Sequence, residues 1–431
     1  MNINIEETNY KLMSVASGHI FNDQGWTLDA PEEKQASLVR ALYDSKKLIV
    51  KSKEYGIYKF ADWLPIHKTL KGSYAPITFK STKLAKHLGL SNLHITFSGY
   101  WPERDIKMRT CSFKETEAFT VCSRIPNTEK RILVVASAGN TARAFAQVCS
   151  DNEIPLLLSV PEDNLNALWF DAPLNDCVKL IASKTGGDYF DAIHLSNLAC
   201  EMPEFFAEGG AKNVARRDGM ATTMLSAATS IGQIPDYYFQ AIGSGTGAIA
   251  AWEANLRLIE DGNYGANKAK LMVSQNYPFH PIADAWNVRS RALLDFNHQE
   301  ARKQVEIIDA KVLSNRKPPY PIIGGLFDAM QDTGGEVLIA TNEQARKAAQ
   351  LFIETEGIDI HPAAAVALAT LIESVENNKI DKKSIIMLNI TGGGESRFKE
   401  EHELFYLKPQ IIFDIDVQAP QVEAKLKDLK W

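Results

Sequence analysis

Apolar and polar positions alternate along the chain in a regular rhythm after about residue 130. Short runs rich in Val, Ile and Leu, such as 131–135 and 154–160, flank a stretch with helical spacing at 141–150. Continuous apolar runs suit strands that are buried on both faces of a parallel sheet, and their alternation with helices is typical of βαβ units. Further strands are predicted at 178–182, 236–242, 269–274 and 384–390, and further helices at 220–231, 247–261, 343–356 and 362–377.

The first 65 residues lack this rhythm, because polar and charged residues are mixed there with isolated aromatic residues. The pattern predicts an α/β protein with a small separate unit in front. The predicted domains are 1–65, 66–232 and 233–431.

Composition and charge narrow the class of protein. A chain of 431 residues with 45% hydrophobic and 23% charged residues is typical of a globular protein of two or three units. A net charge of −6 gives no reason to expect nucleic acid as a partner. The five cysteines form no CxxC pair, so neither a disulfide framework nor a metal site is expected. No secretory signal or membrane-spanning run is visible, and we expect a cytoplasmic protein that does not bind membranes.

Lys114 lies in the sequence Ser112-Phe113-Lys114-Glu115, where Ser112 can cap a helix and place the lysine in its first turn. The positive end of a helix, together with burial, lowers the pKa of an amine and favours the neutral nucleophile that Schiff-base chemistry needs. The alternative for this stretch alone is a solvated lysine in a capped helix.

Three further stretches follow predicted strands. The first joins the strand at 131–135 to a helix and offers free N–H groups and small hydroxyls to an anion such as a carboxylate. Asn140 in this loop could bind a ring oxygen of a cofactor. The loop is also compatible with a simple tight turn. Its candidate residues are Ser137, Ala138, Gly139, Asn140 and Thr141.

The second stretch joins the strand at 236–242 to a helix and is rich in glycine. Glycines let the backbone close around a phosphate, and the spacing matches neither a dinucleotide loop nor a nucleoside-triphosphate loop. A small phosphate monoester is therefore the expected ligand, with an ordinary glycine turn as the alternative. Its residues are Gly243, Ser244, Gly245, Thr246 and Gly247.

The third stretch places Thr391 before three glycines at the end of the strand at 384–390. Ligands of open α/β sheets gather at the carboxyl ends of strands. Taken alone, a threonine before glycines is usually part of a turn.

Together and in this order, the four stretches resemble pyridoxal-phosphate enzymes of fold type II, the group of tryptophan synthase β and threonine synthase. The resemblance implies two open, twisted, mostly parallel sheets flanked by helices, pyridoxal 5′-phosphate as cofactor and a homodimer. It implies that Lys114 forms the Schiff base, that 137–141 binds the substrate carboxylate beside Asn140, that 243–247 binds the cofactor phosphate, and that Thr391 binds the pyridine nitrogen.

Most of the chain resembles the threonine-synthase branch, and Phe97–Arg104, Glu208–Met220 and Asn389–Gly394 resemble the cysteate synthase family within it. That resemblance implies β-replacement, which converts O-phospho-L-serine and sulfite to L-cysteate and phosphate. The stretch 100–109 departs from threonine synthases, so the substrate pocket should differ. Ser14–His19 resembles a ribbon whose cysteine ligands have become serines, and no zinc is expected there.

Two groups of basic residues could bind the substrate anions, since guanidinium groups match phosphate and sulfonate oxygens. One group precedes Lys114 and contains Arg104, Lys107 and Arg109, and the other is the pair Arg216 and Arg217. The alternative for each is a solvated surface charge.

Three other functions remain compatible with the sequence. They are a threonine synthase acting on O-phosphohomoserine, a phosphoserine-dependent cysteine synthase, and a non-catalytic sensor on the same scaffold. A sensor would not need all four of Lys114, Asn140, the glycine loop and Thr391. Their joint presence therefore weighs against this alternative.

Overall fold

The computed structural model describes residue 5 and residues 7–431, so residues 1–4 and 6 of the predicted first unit lie outside the described part. The strands, numbered β1 to β18 in chain order, are Tyr10–Ser14, Ile20–Phe21, Val39–Tyr43, Ile77–Lys80, Asn92–Phe97, Tyr100–Trp101, Ile106–Lys107, Ile132–Ala136, Leu156–Pro161, Trp169–Phe170, Val178–Ser183, Phe205–Ala207, Tyr237–Ala241, Lys270–Asn276, Glu336–Ala340, Ile385–Ile390, Phe405–Tyr406 and Ile411–Phe413.

The α-helices, numbered α1 to α13, are Lys83–Leu88, Lys114–Arg124, Asn140–Asp151, Tyr189–Ala199, Val214–Ile231, Thr246–Asp261, Pro281–Asn287, His298–Ile307, Leu326–Asp332, Asn342–Glu356, Pro362–Glu376, Glu395–Glu401 and Ala419–Leu426. Short 3₁₀ segments cover Lys53–Trp63, Pro102–Arg104, Glu162–Ala167, Gly210–Lys212 and Lys311–Leu313. In residue 5 and residues 7–431, no helix combines the length and the apolar character needed to cross a bilayer.

One parallel sheet has five strands in the order β12, β8, β9, β11, β18. Its strands β8 and β9 are buried along almost their whole length, as expected for a sheet covered on both faces. Helices α2 and α3 pack on one face, while α4 and α13 pack on the other. Each face has its own apolar core.

A second sheet has six strands in the order β15, β14, β13, β16, β5, β4. All neighbours are parallel except β4, which runs antiparallel to β5 at the edge. Apolar residues of α5, α6 and α9 form the core on one face, and those of α1, α10 and α11 form the core on the other. The prediction of an α/β protein with mostly parallel sheets is confirmed.

The strand pairing crosses the predicted domain boundary near residue 232. Strands β4 and β5 precede the boundary but belong to the six-stranded sheet, and β18 follows it but belongs to the five-stranded sheet. The predicted first unit contains an antiparallel sheet in the order β2, β1, β3. The boundaries themselves stay predictions, and the two larger units exchange strands.

Helix α5 joins the two units, because it packs against α2 on one side and α6 on the other. The side chain of Asn213 accepts a hydrogen bond from the N–H of Ala215 and caps its start, and Gly232 ends it with φ of 86°. The helix begins six residues earlier than the predicted start at residue 220, so Arg216 and Arg217 both lie on it.

Candidate active site

A cleft opens where the carboxyl ends of β8 and β13 meet the start of α2. Strand ends of this kind are the usual ligand sites of open α/β sheets. The residues that line it are Lys114, Ser137, Ala138, Gly139, Asn140, Thr141, Tyr189, Arg216, Ser244, Val312, Ser314 and Asn315. Three of the four predicted stretches therefore contribute side chains to one cleft.

Lys114 is the first residue of α2, and its backbone N–H donates a hydrogen bond to the Ser112 hydroxyl at 3.2 Å. The amine does not point into bulk solvent: its Nζ lies 3.0 Å from Oε2 of Glu117, one turn along the helix. Burial lowers the pKa of the Lys114 amine, the Glu117 carboxylate opposes this shift, and the nearby Arg216 adds to it.

Glu117 belongs to a chain of buried charges that ends at the cleft. Nη2 of Arg216 lies 3.1 Å from its Oε1, and Nη1 of Arg216 donates to Oε2 of Glu208 at 2.6 Å. The Arg216 guanidinium is thus held between two carboxylates. Burial raises the pKa of Tyr189, which lines the same cleft, while Arg216 opposes that shift.

The loop between β8 and α3 presents its backbone to the cleft. The Ser137 hydroxyl accepts a hydrogen bond from the N–H of Gly139 at 3.0 Å, and the carbonyl of Ala138 accepts one from Asn164 at 2.9 Å. Gly139 adopts φ of 152° directly before α3 begins at Asn140. These contacts fix a turn that directs the first N–H groups of a 12-residue helix toward the cleft.

Arg143, one turn into α3, orients the side chain of Asn140. Its Nη2 donates to Oδ1 of Asn140 at 3.2 Å and to the carbonyl of Thr110 at 2.9 Å, and it lies 3.5 Å from Oε2 of Glu395. Because a guanidinium only donates hydrogen bonds, it selects the amide orientation in which Oδ1 faces Arg143. The NH₂ group of Asn140 is then left for another acceptor.

The glycine loop begins at the end of β13 and leads into α6. The hydroxyls of Ser244 and Thr246 are 2.8 Å apart, and Ser244 lines the cleft. Gly243 approaches Val312 so closely that a Cβ atom would lie 2.8 Å from its carbonyl oxygen, and Gly245 has φ of +79°. Both positions therefore require glycine.

Thr391 follows β16 and lies beside the start of α2. Its carbonyl accepts a hydrogen bond from the N–H of Phe113 at 2.9 Å, and Ser112 forms a bridge with Gly392. Thr391 is buried. The fourth predicted stretch thus adjoins Lys114, although Thr391 does not line the cleft itself.

Comparisons with known proteins identify the family of this arrangement. The sequence profile of the pyridoxal-phosphate-dependent enzymes matches residues 78–392. A cysteate synthase from Methanosarcina barkeri is 44% identical over 93% of this chain and 96% of that protein. One from Methanosarcina mazei is 46% identical over 91% and 93%. The chain belongs to the cysteate synthase family of pyridoxal-phosphate-dependent enzymes.

Solved structures support the fold of this family member. Maize serine racemase superposes with a TM-score of 0.58 at 14% identity, covering 76% of this chain and 92% of the racemase. The prediction of fold type II is confirmed, and the protein is an enzyme whose cofactor is pyridoxal phosphate. The residues present fit this cofactor, since a lysine amine, a close-approach glycine loop and an available amide group meet at one cleft.

Arg217 requires a correction, because it cannot bind substrate in this member of the family. It is completely buried, and its guanidinium donates to Glu253 at 2.9 Å and to the carbonyls of Ala211 and Val39. All three nitrogen atoms are therefore used inside the protein. Its neighbour Arg216 does line the cleft, so only one residue of the predicted pair is placed for substrate.

The basic residues before Lys114 also lie outside the cleft lining, so the structure does not bring them to the candidate site. The guanidinium of Arg104 stacks on Phe79 at 3.6 Å, and Lys107 is exposed on the edge ribbon of β6 and β7. Arg109 forms ion pairs with Asp171 and Asp151, the latter at 2.7 Å. The aromatic rings beside Arg104 and the carboxylates beside Arg109 account for the positions of these two side chains without a bound ligand.

Several residues that line the cleft or lie directly behind it were not anticipated. Glu117 is one helical turn from Lys114, and the lysine–glutamate spacing of three was a signal for the pair. No sequence motif marks Tyr189, Ser314 or Asn315. An ion pair between Arg316 and Asp188 joins the segments that hold Tyr189, Ser314 and Asn315.

Proposed function

We propose that this enzyme converts O-phospho-L-serine and sulfite to L-cysteate and phosphate. The observation that carries the proposal is that Lys114, the 137–141 loop and Arg216 line one cleft in a member of the cysteate synthase family. The cleft joins a nucleophilic amine, a carboxylate-binding loop and a guanidinium. This combination suits a substrate that is both an amino acid and a phosphate ester.

Lys114 would hold the cofactor covalently, and the N–H groups of the loop 243–247 at the start of α6 would hold its phosphate. The 16-residue helix adds its positive end to this site. The free NH₂ of Asn140 would donate to the ring oxygen, and the Thr391 hydroxyl would bind the ring nitrogen. When bound, pyridoxal phosphate withdraws the electron pair that is left when a proton leaves Cα of the substrate.

The substrate carboxylate binds at the loop 137–141. Ser137 and Thr141 offer hydroxyl groups there, and the first N–H groups of α3 face the same cleft. The positive end of a helix favours an anion at this position. Fixing the carboxylate here orients the Cα–H bond toward Lys114.

Arg216 binds the second anionic group of the substrate and then the incoming sulfite. Two residues of the cleft lining are cations, and Lys114 is committed to the cofactor. The Nε of Arg216 is buried without a hydrogen-bond partner among the described residues, so one donor of the guanidinium stays available. Phosphate and sulfite oxygens match the spacing of guanidinium donors.

Proton transfer falls to Lys114, which adjoins the reacting Cα. Its amine takes the Cα proton, the Cβ–O bond to phosphate breaks, a bond forms between Cβ and the sulfur of sulfite, and the proton returns to Cα. The chain thus supplies one base that later acts as an acid. A neutral hydroxyl at Thr391 would leave the ring nitrogen less protonated than a carboxylate would, which would favour replacement at Cβ over transamination.

Phosphate release tests this function directly. Purified enzyme loaded with cofactor is mixed with O-phospho-L-serine, with and without sulfite, and cysteate is measured in parallel. We expect equal amounts of phosphate and cysteate, formed only when sulfite is present. Phosphate release from O-phosphohomoserine without sulfite would instead identify a threonine synthase, and product formed only with sulfide would identify a cysteine synthase.

The proposal includes a homodimer that works in the cytoplasm. Both statements rest on the resemblance to fold type II enzymes and on the sequence features described above. Sedimentation equilibrium of the full chain should give twice the mass of one chain, and a single-chain mass at micromolar concentration would contradict the dimer. Fractionation of cells should place the enzyme with cytoplasmic markers.

A further inference from the structure

Glu117 is the charged group nearest to the Lys114 amine, and neither the sequence motifs nor the steps above assign it a role. Its side chain is completely buried, with Oε2 at 3.0 Å from Nζ of Lys114. Burying a carboxylate is costly unless cations compensate it. A buried carboxylate beside a catalytic amine therefore needs an explanation.

The charged groups around the Lys114 amine balance one another. Glu117 faces Lys114 from the same helix, Arg216 faces it from α5, and Glu208 reaches it through Arg216 from the loop after β12. Tyr189 of α4 borders the same cleft and is neutral, with a raised pKa. Two cations are thus matched by two carboxylates inside the protein.

We propose that Glu117 is a positioning residue that stabilises the ammonium form of Lys114, the form that the lysine takes once its amine has accepted the Cα proton. A Lys114 amine that is free of the cofactor would be the base that accepts the Cα proton of the substrate. The C–H bond breaks, an N–H bond forms at Nζ, and the new ammonium pairs with the carboxylate at 3.0 Å. Stabilising the conjugate acid makes the lysine a stronger base.

Arg216 fixes the carboxylate that performs this task. With its Oε1 lying 3.1 Å from Nη2 of Arg216, Glu117 is oriented so that Oε2 faces the lysine. Glu208 in turn anchors Arg216 at 2.6 Å. One guanidinium therefore connects the substrate cleft to the group that sets the protonation of Lys114. The inference rests on the proposed role of Lys114 as the cofactor lysine.

Replacing Glu117 by glutamine leaves two buried cations with one carboxylate. Arginine keeps its proton in proteins, so Lys114 must lose its own. The pKa of the amine should then fall, because burial lowers it already and the opposing carboxylate is gone. Only the neutral amine attacks the aldehyde of pyridoxal phosphate, so attachment should become possible at lower pH.

The test measures cofactor attachment and not turnover. Full-length protein freed of cofactor is mixed with pyridoxal phosphate at a series of pH values, and the rate at which the visible band of the lysine-bound cofactor appears is recorded. For Glu117→Gln we expect the midpoint of the pH profile to lie lower by about 1 unit or more. An unchanged midpoint in this variant would overturn the proposal.

Two further variants keep the test decisive. Glu115→Gln is the matched control, because Glu115 is buried on the same helix but bonds to Thr110 instead of Lys114, and its midpoint should equal that of the wild type. Glu117→Asp keeps the charge at a greater distance and should give an intermediate midpoint. If the glutamine variant does not fold, a wild-type midpoint in the aspartate variant rejects the proposal. A wild type that never attaches cofactor at Lys114 would reject the site itself, and a failed phosphate assay would reject only the overall reaction.

Discussion

Arg216 and Arg217 are neighbours on α5, yet they belong to different parts of the molecule. Arg216 lines the cleft between Glu117 and Glu208, with 11% of its side chain exposed. Arg217 is fully buried on another face of the helix, where it binds Glu253 and a carbonyl of β3. The first lines the same cleft as Lys114, and the second ties the small antiparallel sheet to the helix.

This difference shows that burial and charge alone do not mark a binding residue. Successive residues on a helix point about 100° apart, so two adjacent arginines meet unrelated partners. Arg217 has every nitrogen atom occupied, whereas Nε of Arg216 has no partner among the described residues. Lining of the cleft and a donor nitrogen unpaired within the described part of the chain thus distinguish Arg216 from Arg217.

The largest expected effect follows from removing the structural arginine. Arg217→Ala leaves Glu253 with Arg40 as its remaining ion-pair partner and deprives two carbonyls of donors. We expect the free energy of unfolding to fall by about 3–5 kcal/mol. Urea unfolding followed by circular dichroism measures this change. A loss below 1 kcal/mol would mean that Arg217 is not the structural member of the pair.

The same contrast recurs on α2, where Glu117 pairs with Lys114 and Arg216 while Glu115 bonds to Thr110. Burial raises the pKa of Glu115 to about 7, while hydrogen bonds from Thr110 oppose this shift. The folded protein therefore binds more protons than the unfolded chain between pH 4.5 and pH 7. Its unfolding free energy should fall as pH rises through this window, by about 3 kcal/mol in all.

Glu115→Gln should remove this part of the pH dependence, because glutamine does not titrate. The measurement is the difference between the urea unfolding free energies of wild type and variant, taken at several pH values from 4.5 to 7.5. A difference that does not change with pH would show that Glu115 ionises in the folded protein as it does in water.

A third variant changes the functional arginine while keeping its charge. Arg216→Lys retains a cation between the two carboxylates but loses the planar donors that fit phosphate oxygens. We expect kcat/KM for O-phospho-L-serine to fall by about 10- to 100-fold, since a hydrogen bond to a charged group contributes roughly 1.5–3 kcal/mol. Steady-state kinetics at saturating sulfite measure the loss.

Arg217→Lys is the matched variant for this measurement. It should lose stability while its folded fraction keeps kcat/KM within about twofold. If the two lysine variants lost kcat/KM equally, the distinction between the two faces of α5 would be wrong.

The smallest effect is expected at Arg104, which the sequence placed with the substrate and the structure places on aromatic rings. Arg104→Ala should change kcat/KM less than about twofold and reduce stability by about 0.5–1 kcal/mol through the lost cation–π contacts. Kinetics and thermal unfolding test both values. A 10-fold loss of kcat/KM would return Arg104 to the substrate site.

Much of the fold could be predicted because local patterns carry it. The apolar runs at 131–135 and 384–390 became β8 and β16, and the strand-to-helix loops after β8 and β13 are where the sequence put them. The pairing of β5 with β16 could not be predicted, since these strands are nearly 300 residues apart in the chain. Local periodicity does not say which strands become neighbours.

The site was predicted less completely for a related reason. Helix α5 is buried on almost every side, so no polar stripe showed which face meets the cleft. Arg216 and Arg217 therefore looked alike in sequence. Ser314 and Asn315 follow a short 3₁₀ segment and reach the cleft only because the two units come together there.

The most direct test of the account locates the cofactor on the chain. Purified enzyme is reduced with borohydride, which fixes the cofactor to its lysine, and is then digested and analysed by mass spectrometry. We predict that the modified peptide contains Lys114, and that Lys114→Ala abolishes both this modification and the visible absorption band. A cofactor found on any other lysine, or a band that persists in Lys114→Ala, would contradict the account.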